Sequence, residues 1–423
     1  MIDLEEAVAL VERAAAPLPP RRQRLLEACG RRLAAGVVAD GDSPPWDRAM
    51  MDGFAVRSAD FSRPTEAVEL DVVVDLAAGD VTGITIQTGT CARIMTGAPV
   101  PPGAEAIVPV ECAVDGTAAV HAGGRVRLAD PRFRPGQHIA RRGAAFGRGQ
   151  EVLAVGAALG AAEVGLAAEA GATHVVAAPR VRVALISTGS ELVACGSVPG
   201  PGQTRNSNGP MLAAAVALLG GEPIPLGIAA DRPEAIRALV AQGLAADVLV
   251  LSGGVSAGDL DLVPGILTRA GVAQVFHKVR LKPGKPVWFG TLQRGGGEPA
   301  TLVFGLPGNP ASSLVCFELF VRPAIMILAG AARDRRHLPR VRGVLGGPAK
   351  AAADRPVYLP CRLQGSPDRL VATPLPWSGS SDLLGLAGAT GLVALPADGR
   401  RHEPGEPVEI LLRDVPDAQS RVQ

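Results

Sequence analysis

From Val181 to Ala329 short apolar runs alternate with longer stretches whose apolar positions recur at helical spacing. The runs VRVALIST, EPIPLGI, VLVLSGG, VWFG and LVFGL read as strands. Continuous apolar runs of this kind suit strands covered on both faces. Between and after them, Gly209–Leu219, Pro233–Gln242, Leu262–Ala270 and Ala311–Ala329 read as helices, the second with Asp231 as its N-cap and Pro233 in its first turn. Strands alternating with helices predict a doubly wound, parallel α/β sheet.

Other patterns flank this region. Ile2–Ala16 and Arg22–Ala35 read as helices separated by a break at Pro17–Pro20. Apolar Leu4, Ala7, Val8 and Val11 mark one face of the first. In WDRAMMDGFAV, Asp52-Gly53 signals a turn into a strand, and from about 65 to 143 short β runs are punctuated by Gly and Pro. Residues 144–178, with a small-residue helix at Gly160–Ala170, form a connecting module; from about 331 the β pattern returns. The expected domains are a helical and linking part (1–44 plus 144–178), a β-rich part (45–143), an α/β part (179–330) and a small β part (331–423).

Composition narrows the class. A chain of 423 residues exceeds one ordinary core. With 42 basic and 41 acidic residues it has no global field to recruit nucleic acid or an anionic membrane. Six scattered cysteines without a CxxC pair argue against zinc and disulfides and for a reducing compartment. The start MIDLEEAVAL lacks the basic segment of a signal peptide, and no apolar run reaches the ~20 residues a membrane helix needs. A soluble, cytoplasmic protein is expected.

The chemistry gathers after the strands. VLVLS ends in Ser252-Gly253-Gly254, whose bare backbone admits close approach of a ligand, and Asp259 and Asp261 follow. Three of only four lysines (Lys278, Lys282 and Lys285) fall in FHKVRLKPGKP, in a chain whose other basic residues are arginines. Compact ammonium groups concentrated at one place point to an oxyanion or phosphate site. Polar turns at Ser187–Glu191, Asn206–Gly209 and Gly308-Asn309 end strands or open helices at the edge where α/β sheets bind ligands. Glu191, Asp231 and Asp261 would share that edge, and carboxylates beside bound phosphate are the usual setting for Mg²⁺-assisted phosphoryl chemistry. HExxH, GxSxG and GxxxxGK[ST] are absent, and no histidines stand at ligand spacing.

Taken together, WDRAMMDGFAV (Trp46–Val56), RIMTGAP (Arg93–Pro99), STGSEL (Ser187–Leu192), RNSNGPML (Arg205–Leu212), SGGVSAGDLD (Ser252–Asp261), KPGKP (Lys282–Pro286) and GLPGNP (Gly305–Pro310) resemble the molybdopterin molybdenumtransferase family, MoeA and the E domain of gephyrin. The resemblance covers nearly the whole chain. It implies a molybdopterin-binding α/β domain, a β-rich insertion, a helical linking part and a C-terminal β barrel. It implies a homodimer with its cleft between the α/β domain of one subunit and the β insertion of the other. The implied reaction inserts molybdate into adenylylated molybdopterin and releases AMP with Mg²⁺. A molybdopterin adenylyltransferase and cofactor-receiving molybdoenzymes are implied partners.

Position by position, the resemblance assigns catalytic roles to Asp52, Glu191, Asp231, Asp261, Lys278 and Lys282, with Asp231 and Asp261 as metal ligands. It assigns substrate contacts to Thr96, Ser252, Gly253, Gly254, Lys285, Pro307, Asn309, Pro310, Ser312 and Ser380. Three stretches depart from the family pattern. Ala144-Ala145 stands where an acidic pair is usual, Ser190 replaces the acid of STGDEL, and Arg362 in YLPCRL is the nearest candidate for the barrel arginine. These departures motivate a second reading, a non-catalytic molybdopterin-binding carrier or scaffold. A pterin adenylyltransferase would share the α/β fold, but the β insertion and the C-terminal β domain argue against it.

Overall fold

Asp3, in extended conformation, precedes the first helix, α1 (Leu4–Ala14), and Glu5 and Glu6 place negative charge on its first turn. Leu4, Ala7 and Val11 form its buried stripe. The computed structural model describes residues 1–61, 66–255, 262–366 and 369–413. It divides into two units: a larger one of residues 1–21, 30–32 and 178–423, and a smaller one of residues 22–29 and 33–177.

The predicted helix at Arg22–Ala35 does not form. Arg21–Arg24 is a strand paired with His174–Ala177, Leu26–Ala28 is a single 3₁₀ turn, and Leu33 bridges to Ala177. Gly30 has φ +78, which ends any helix there, and long-range pairing overrides the local propensity of the Leu- and Ala-rich stretch.

The smaller unit is built on a five-stranded sheet of β1 (Gly53–Val56), β2 (Val68–Leu76), β3 (Thr90–Ile94), β4 (Ala106–Pro109) and β5 (Arg125–Leu128), in the order β4-β1-β3-β2-β5. Only β2 and β3 run parallel. Successive side chains bury on opposite faces: Phe54, Cys91 and Val108 pack in one core, Ala55, Ala92 and Ile107 in another. The expected small-residue helix is α2 (Ala161–Glu169).

The larger unit contains a six-stranded sheet: β6 (Arg182–Thr188), β7 (Glu222–Ala229), β8 (Val248–Ser252), β9 (Ala273–His277), β10 (Trp288–Leu292) and β11 (Thr301–Leu306). Their order is β7-β6-β8-β11-β10-β9. The first four run parallel; β10 is antiparallel to β11, and β9 to β10. The sheet is therefore mixed rather than wholly parallel: β10 is the antiparallel strand, and it follows AQVFH, a strand the pattern passed over. AQVFH forms a hairpin with β10, so β9 runs in the same direction as the parallel set.

Helices cover both faces. α3 (Asn208–Leu218) and the helix Pro310–Leu328 pack with Val183, Val250 and Phe304, while α4 (Pro233–Gly243) and α5 (Val263–Arg269) pack with Ala184, Leu249 and Trp288. Pro310–Leu328, labelled α6, has 19 residues and is apolar and long enough to cross a membrane, but 89% of it is buried inside the unit. That burial explains its composition: it is a core helix. Its middle, Phe317–Val321, is π-helical.

The C-terminal strands β12 (Arg340–Leu345), β13 (Val357–Ser366), β14 (Arg369–Pro374), β15 (Gly391–Leu395) and β16 (Pro407–Leu412) close a barrel in the order β12-β14-β13-β15-β16. The loop after β9 meets this barrel: Lys282 N donates to Pro356 O at 3.0 Å, and Tyr358 N donates to Lys282 O at 2.8 Å.

Candidate functional site

The C-terminal ends of β6, β8 and β11 lie level, since Ser187 pairs with Ser252 and Ser252 with Leu306. Two adjoining cavities open at this edge. One, of about 350 Å³, is lined by Thr188, Gly189, Glu191, Asp231, Gly253, Gly254, Pro307 and Asn309 among others. The other, of about 450 Å³, shares Thr188, Glu191, Gly308 and Asn309 and adds Asn206, Ser207, Asn208, Ser252 and Pro310. The three expected polar turns and the Ser252-Gly253-Gly254 turn thus converge on one place, the position at which open α/β sheets bind ligands.

The glycines are obligatory here. Gly253 has φ +99, and a Cβ on it would lie 2.5 Å from the Thr188 carbonyl oxygen. Its amide donates to Leu306 O, which ties the turn to β11. Beneath the turn, Ser252 Oγ donates to Ser187 Oγ and Ser187 Oγ to Asn206 Oδ1, which also accepts from Gly209 N at 3.0 Å. Ser252, although it lines the cavity wall, is a buried member of this network.

Asp231 does not cap α4. Arg232 occupies the cap position with no side-chain cap bond, so α4 starts one residue too late for Asp231 to reach its free amides in that role. Asp231 Oδ2 instead accepts from Ser190 N at 2.9 Å, and Ser190 Oγ accepts from Asp231 N at 2.9 Å. Both acids that line the cavity, Glu191 and Asp231, are exposed. Asp261 lies outside the described residues, as does Asp259.

The three lysines lie on the loop between β9 and β10. Because β9 runs with the parallel strands, its C-terminal end brings this loop to the cavity edge. His277 fixes it there, its Nε2 lying 3.0 Å from the Val255 carbonyl oxygen just past the glycine turn. Lys278, half-buried at φ +70, donates its amide to Val287 O, and Lys282 and Lys285 are exposed. Pro286 lines the first cavity, whereas the lysines themselves are not part of either wall.

Asn309 Nδ2 donates to Ser380 Oγ at 2.7 Å, and Ala311 N donates to Ser380 O at 3.0 Å, so Ser380 holds the entry to α6. Ser312 is buried within α6 and lines neither cavity. In the smaller unit Asp52 and Thr96 meet. Asp52 Oδ1 accepts from both the Thr96 amide and hydroxyl, each at 2.7 Å. These two donors, with Arg93 adding positive charge, hold the Asp52 carboxyl below the ordinary carboxylate value.

Thr188 and Asn208 are among the lining residues outside the position-by-position assignment. Thr188 sits at the end of β6, and Asn208 opens α3 and donates through Nδ2 to Gly308 O at 2.7 Å. Asn208 Oδ1 is buried with no partner among the described residues. The motif RNSNGPML was the available signal for Asn208. Among the described residues no three His, Cys, Asp or Glu side chains form a metal-holding cluster.

Comparison with known proteins gives this arrangement its context. Residues 2–171 match the family model of the MoeA N-terminal region (domain I and II), 184–326 that of a probable molybdopterin binding domain, and 342–412 that of the MoeA C-terminal region (domain IV). A molybdopterin molybdenumtransferase of Nostoc sp. is 38% identical over 312 residues, 73% of this chain and 69% of that protein. Molybdopterin molybdenumtransferase 2 of Mycobacterium tuberculosis is 36% identical, covering 88% of this chain and 90% of its own length. The crystal structure of a molybdopterin biosynthesis MoeA protein from Pyrococcus horikoshii superimposes with a TM-score of 0.76 at 29% identity, covering 97% of this chain and 99% of that one. The chain belongs to the molybdopterin molybdenumtransferase family.

Proposed function

We infer that the chain is a molybdopterin molybdenumtransferase of molybdenum cofactor biosynthesis. Its substrates are molybdopterin adenylate and molybdate, and it inserts the molybdate with Mg²⁺-dependent release of AMP. The observation that carries this reading is the convergence of two acids, a glycine turn and a three-lysine loop on one strand edge of the segment that matches the molybdopterin-binding family.

Each feature has a chemical task. The bare backbone at Gly253 and Gly254 admits anionic groups to within hydrogen-bonding range. Lys278, Lys282 and Lys285 supply positive charge for the pterin phosphate or molybdate. Asn309, held by Ser380, Pro307 and Pro310 shape the opposite rim. Glu191 and Asp231 offer hard oxygen donors at an open cavity, which fits Mg²⁺, an ion that takes one or two carboxylates and completes its shell with water and phosphate oxygens. Asp231 and Asp261 are the assigned ligands, and the bound ion would neutralise phosphate charge during adenylate cleavage. Asp231, clasped by Ser190, keeps Oδ1 available for this role.

In the cell we assign the protein to the cytoplasm as a homodimer. It would receive substrate from a molybdopterin adenylyltransferase and deliver cofactor to molybdoenzymes. The decisive assay mixes purified protein with molybdopterin adenylate, molybdate and Mg²⁺. Release of AMP in step with cofactor formation is expected. Tight pterin binding without AMP release would favour the carrier reading, for which exposed Ala144-Ala145 is the specific observation.

A further inference from the structure

We propose that the larger unit carries a second ligand site, for a phosphorylated organic small molecule such as a nucleotide, at the opposite end of the same sheet. A cavity of about 350 Å³ there is lined by Arg21, Arg180, Arg182 and Arg294 with Asp247 and Glu298. Arg182 opens β6 and Asp247 directly precedes β8, whereas Thr188 and Ser252, at the far ends of those strands, belong to the cavities already described. β6 spans seven residues from one end to the other, about 20 Å at the usual rise per residue.

The charges in this cavity are unequally used. Arg294 donates to Asp247 Oδ1 at 3.3 Å, to Thr301 Oγ1 at 2.9 Å and to the Ala246 carbonyl. Asp247 also accepts the Arg182 amide at 2.8 Å. Arg294 and Asp247 therefore neutralise each other as a fixed floor, with side chains only 21% and 12% exposed. Among the described residues Arg21, Arg180 and Arg182 have no acidic partner, and Glu298 reaches only Arg294, at 3.9 Å. Three exposed guanidinium groups thus face one cavity whose two carboxylates, Asp247 and Glu298, both pair with Arg294.

That excess selects an anion with more than one charge, and the planar guanidinium fork suits phosphate in particular. The volume is in the range of small-molecule sites, about 300–1,000 Å³, so the ligand carries an organic body as well as phosphate. Pro19, Pro179 and Pro299 contribute rigid apolar wall for that body.

The test is calorimetric titration of the full chain at low ionic strength, with ATP and inorganic pyrophosphate as probes. A Lys282→Ala/Lys285→Ala background removes charge from the other end of the sheet. In that background ATP should bind, and adding Arg21→Ala and Arg180→Ala should weaken it at least tenfold without shifting the melting temperature. Arg333→Ala, at an exposed arginine elsewhere, should leave the affinity unchanged. Equal affinity with and without the Arg21 and Arg180 substitutions would overturn the site, as would an equal loss on Arg333→Ala. Pyrophosphate binding as tightly as ATP would overturn the assignment of an organic phosphate.

Discussion

Ser190 and Asp231 exchange hydrogen bonds in both directions: the Ser190 amide donates to the Asp231 carboxylate, and the Asp231 amide donates to the Ser190 hydroxyl, each at 2.9 Å. The residue that departs from the family's STGDEL pattern is therefore the one that clasps a proposed metal ligand. An aspartate at position 190 would put a second carboxylate against Asp231, whereas the neutral hydroxyl adds no like charge.

From this pairing follows a separation of stability from chemistry. Ser190→Ala removes one exposed hydrogen bond, a cost of about 1 kcal/mol or less. AMP release should nonetheless slow and require more Mg²⁺, because Asp231 loses half of its clasp. Asp231→Asn should fold normally and show the same defect more strongly. Wild-type Mg²⁺ dependence in Ser190→Ala would mean that the clasp does not position the acid.

At Gly253 the backbone itself is the functional group. Gly253→Ala forces a Cβ to 2.5 Å from Thr188 O at φ +99, and we expect a loss of about 1–3 kcal/mol with collapse of pterin affinity. Gly265, in α5 with nothing within 4 Å of its would-be Cβ, provides the contrast. Gly265→Ala should be neutral or stabilising in chemical denaturation.

Lys282 separates charge from scaffold. Its backbone is paired on both sides with the barrel, so Lys282→Ala should keep the wild-type melting temperature while weakening pterin or molybdate binding. Lys282→Arg should also bind poorly, since a planar guanidinium does not replace a compact ammonium. Unaltered affinity in both variants would remove this lysine from the site.

Asp52 yields a pH prediction. Its folded-state pKa lies below the ordinary 3.8, so the charged form is favoured by folding. The contribution to stability is present above the unfolded value and disappears as pH falls through the folded one. Asp52→Asn keeps an acceptor for Thr96 but does not titrate. The stability gap between wild type and Asp52→Asn should therefore narrow as the medium is acidified below about pH 4, read by denaturant unfolding. A gap independent of pH would show that the Thr96 contacts are not favouring the ionised carboxylate.

Much of this was legible because local and global signals agree. The run from Val248 to Leu251 is apolar throughout, the strand through Ser252 is buried throughout, and the Gly253-Gly254 turn follows where the sequence places it. The Arg22–Ala35 stretch misled because its Leu and Ala content imitates a helix while its partner, His174–Ala177, lies far along the chain. β9 was missed because Ala273–His277, at a sheet edge, is short and carries polar Gln274 and His277, so it neither forms an apolar run nor alternates cleanly. The Asp231 assignment as a cap failed for a similar reason: the competing donor, Ser190, is distant in sequence. Ser312 matched a motif yet turned into the helix core, which spacing alone does not reveal.

The pairing of Lys282 with Pro356 and Tyr358 bears on how such a chain can be shortened or recombined. Excising the barrel would take Tyr358, Leu392 and Leu411 out of the core they share with Val183, Val250 and Phe304, and would strip the lysine loop of two backbone anchors. A minimal fragment ending after α6 would keep the strand edge and its glycine turn, but would lose the Ser380 hold on Asn309 and the fixed spacing of its ammonium groups. Exchange of barrels between relatives would, for the same reason, retune anion affinity through the backbone alone, without altering any residue of the loop.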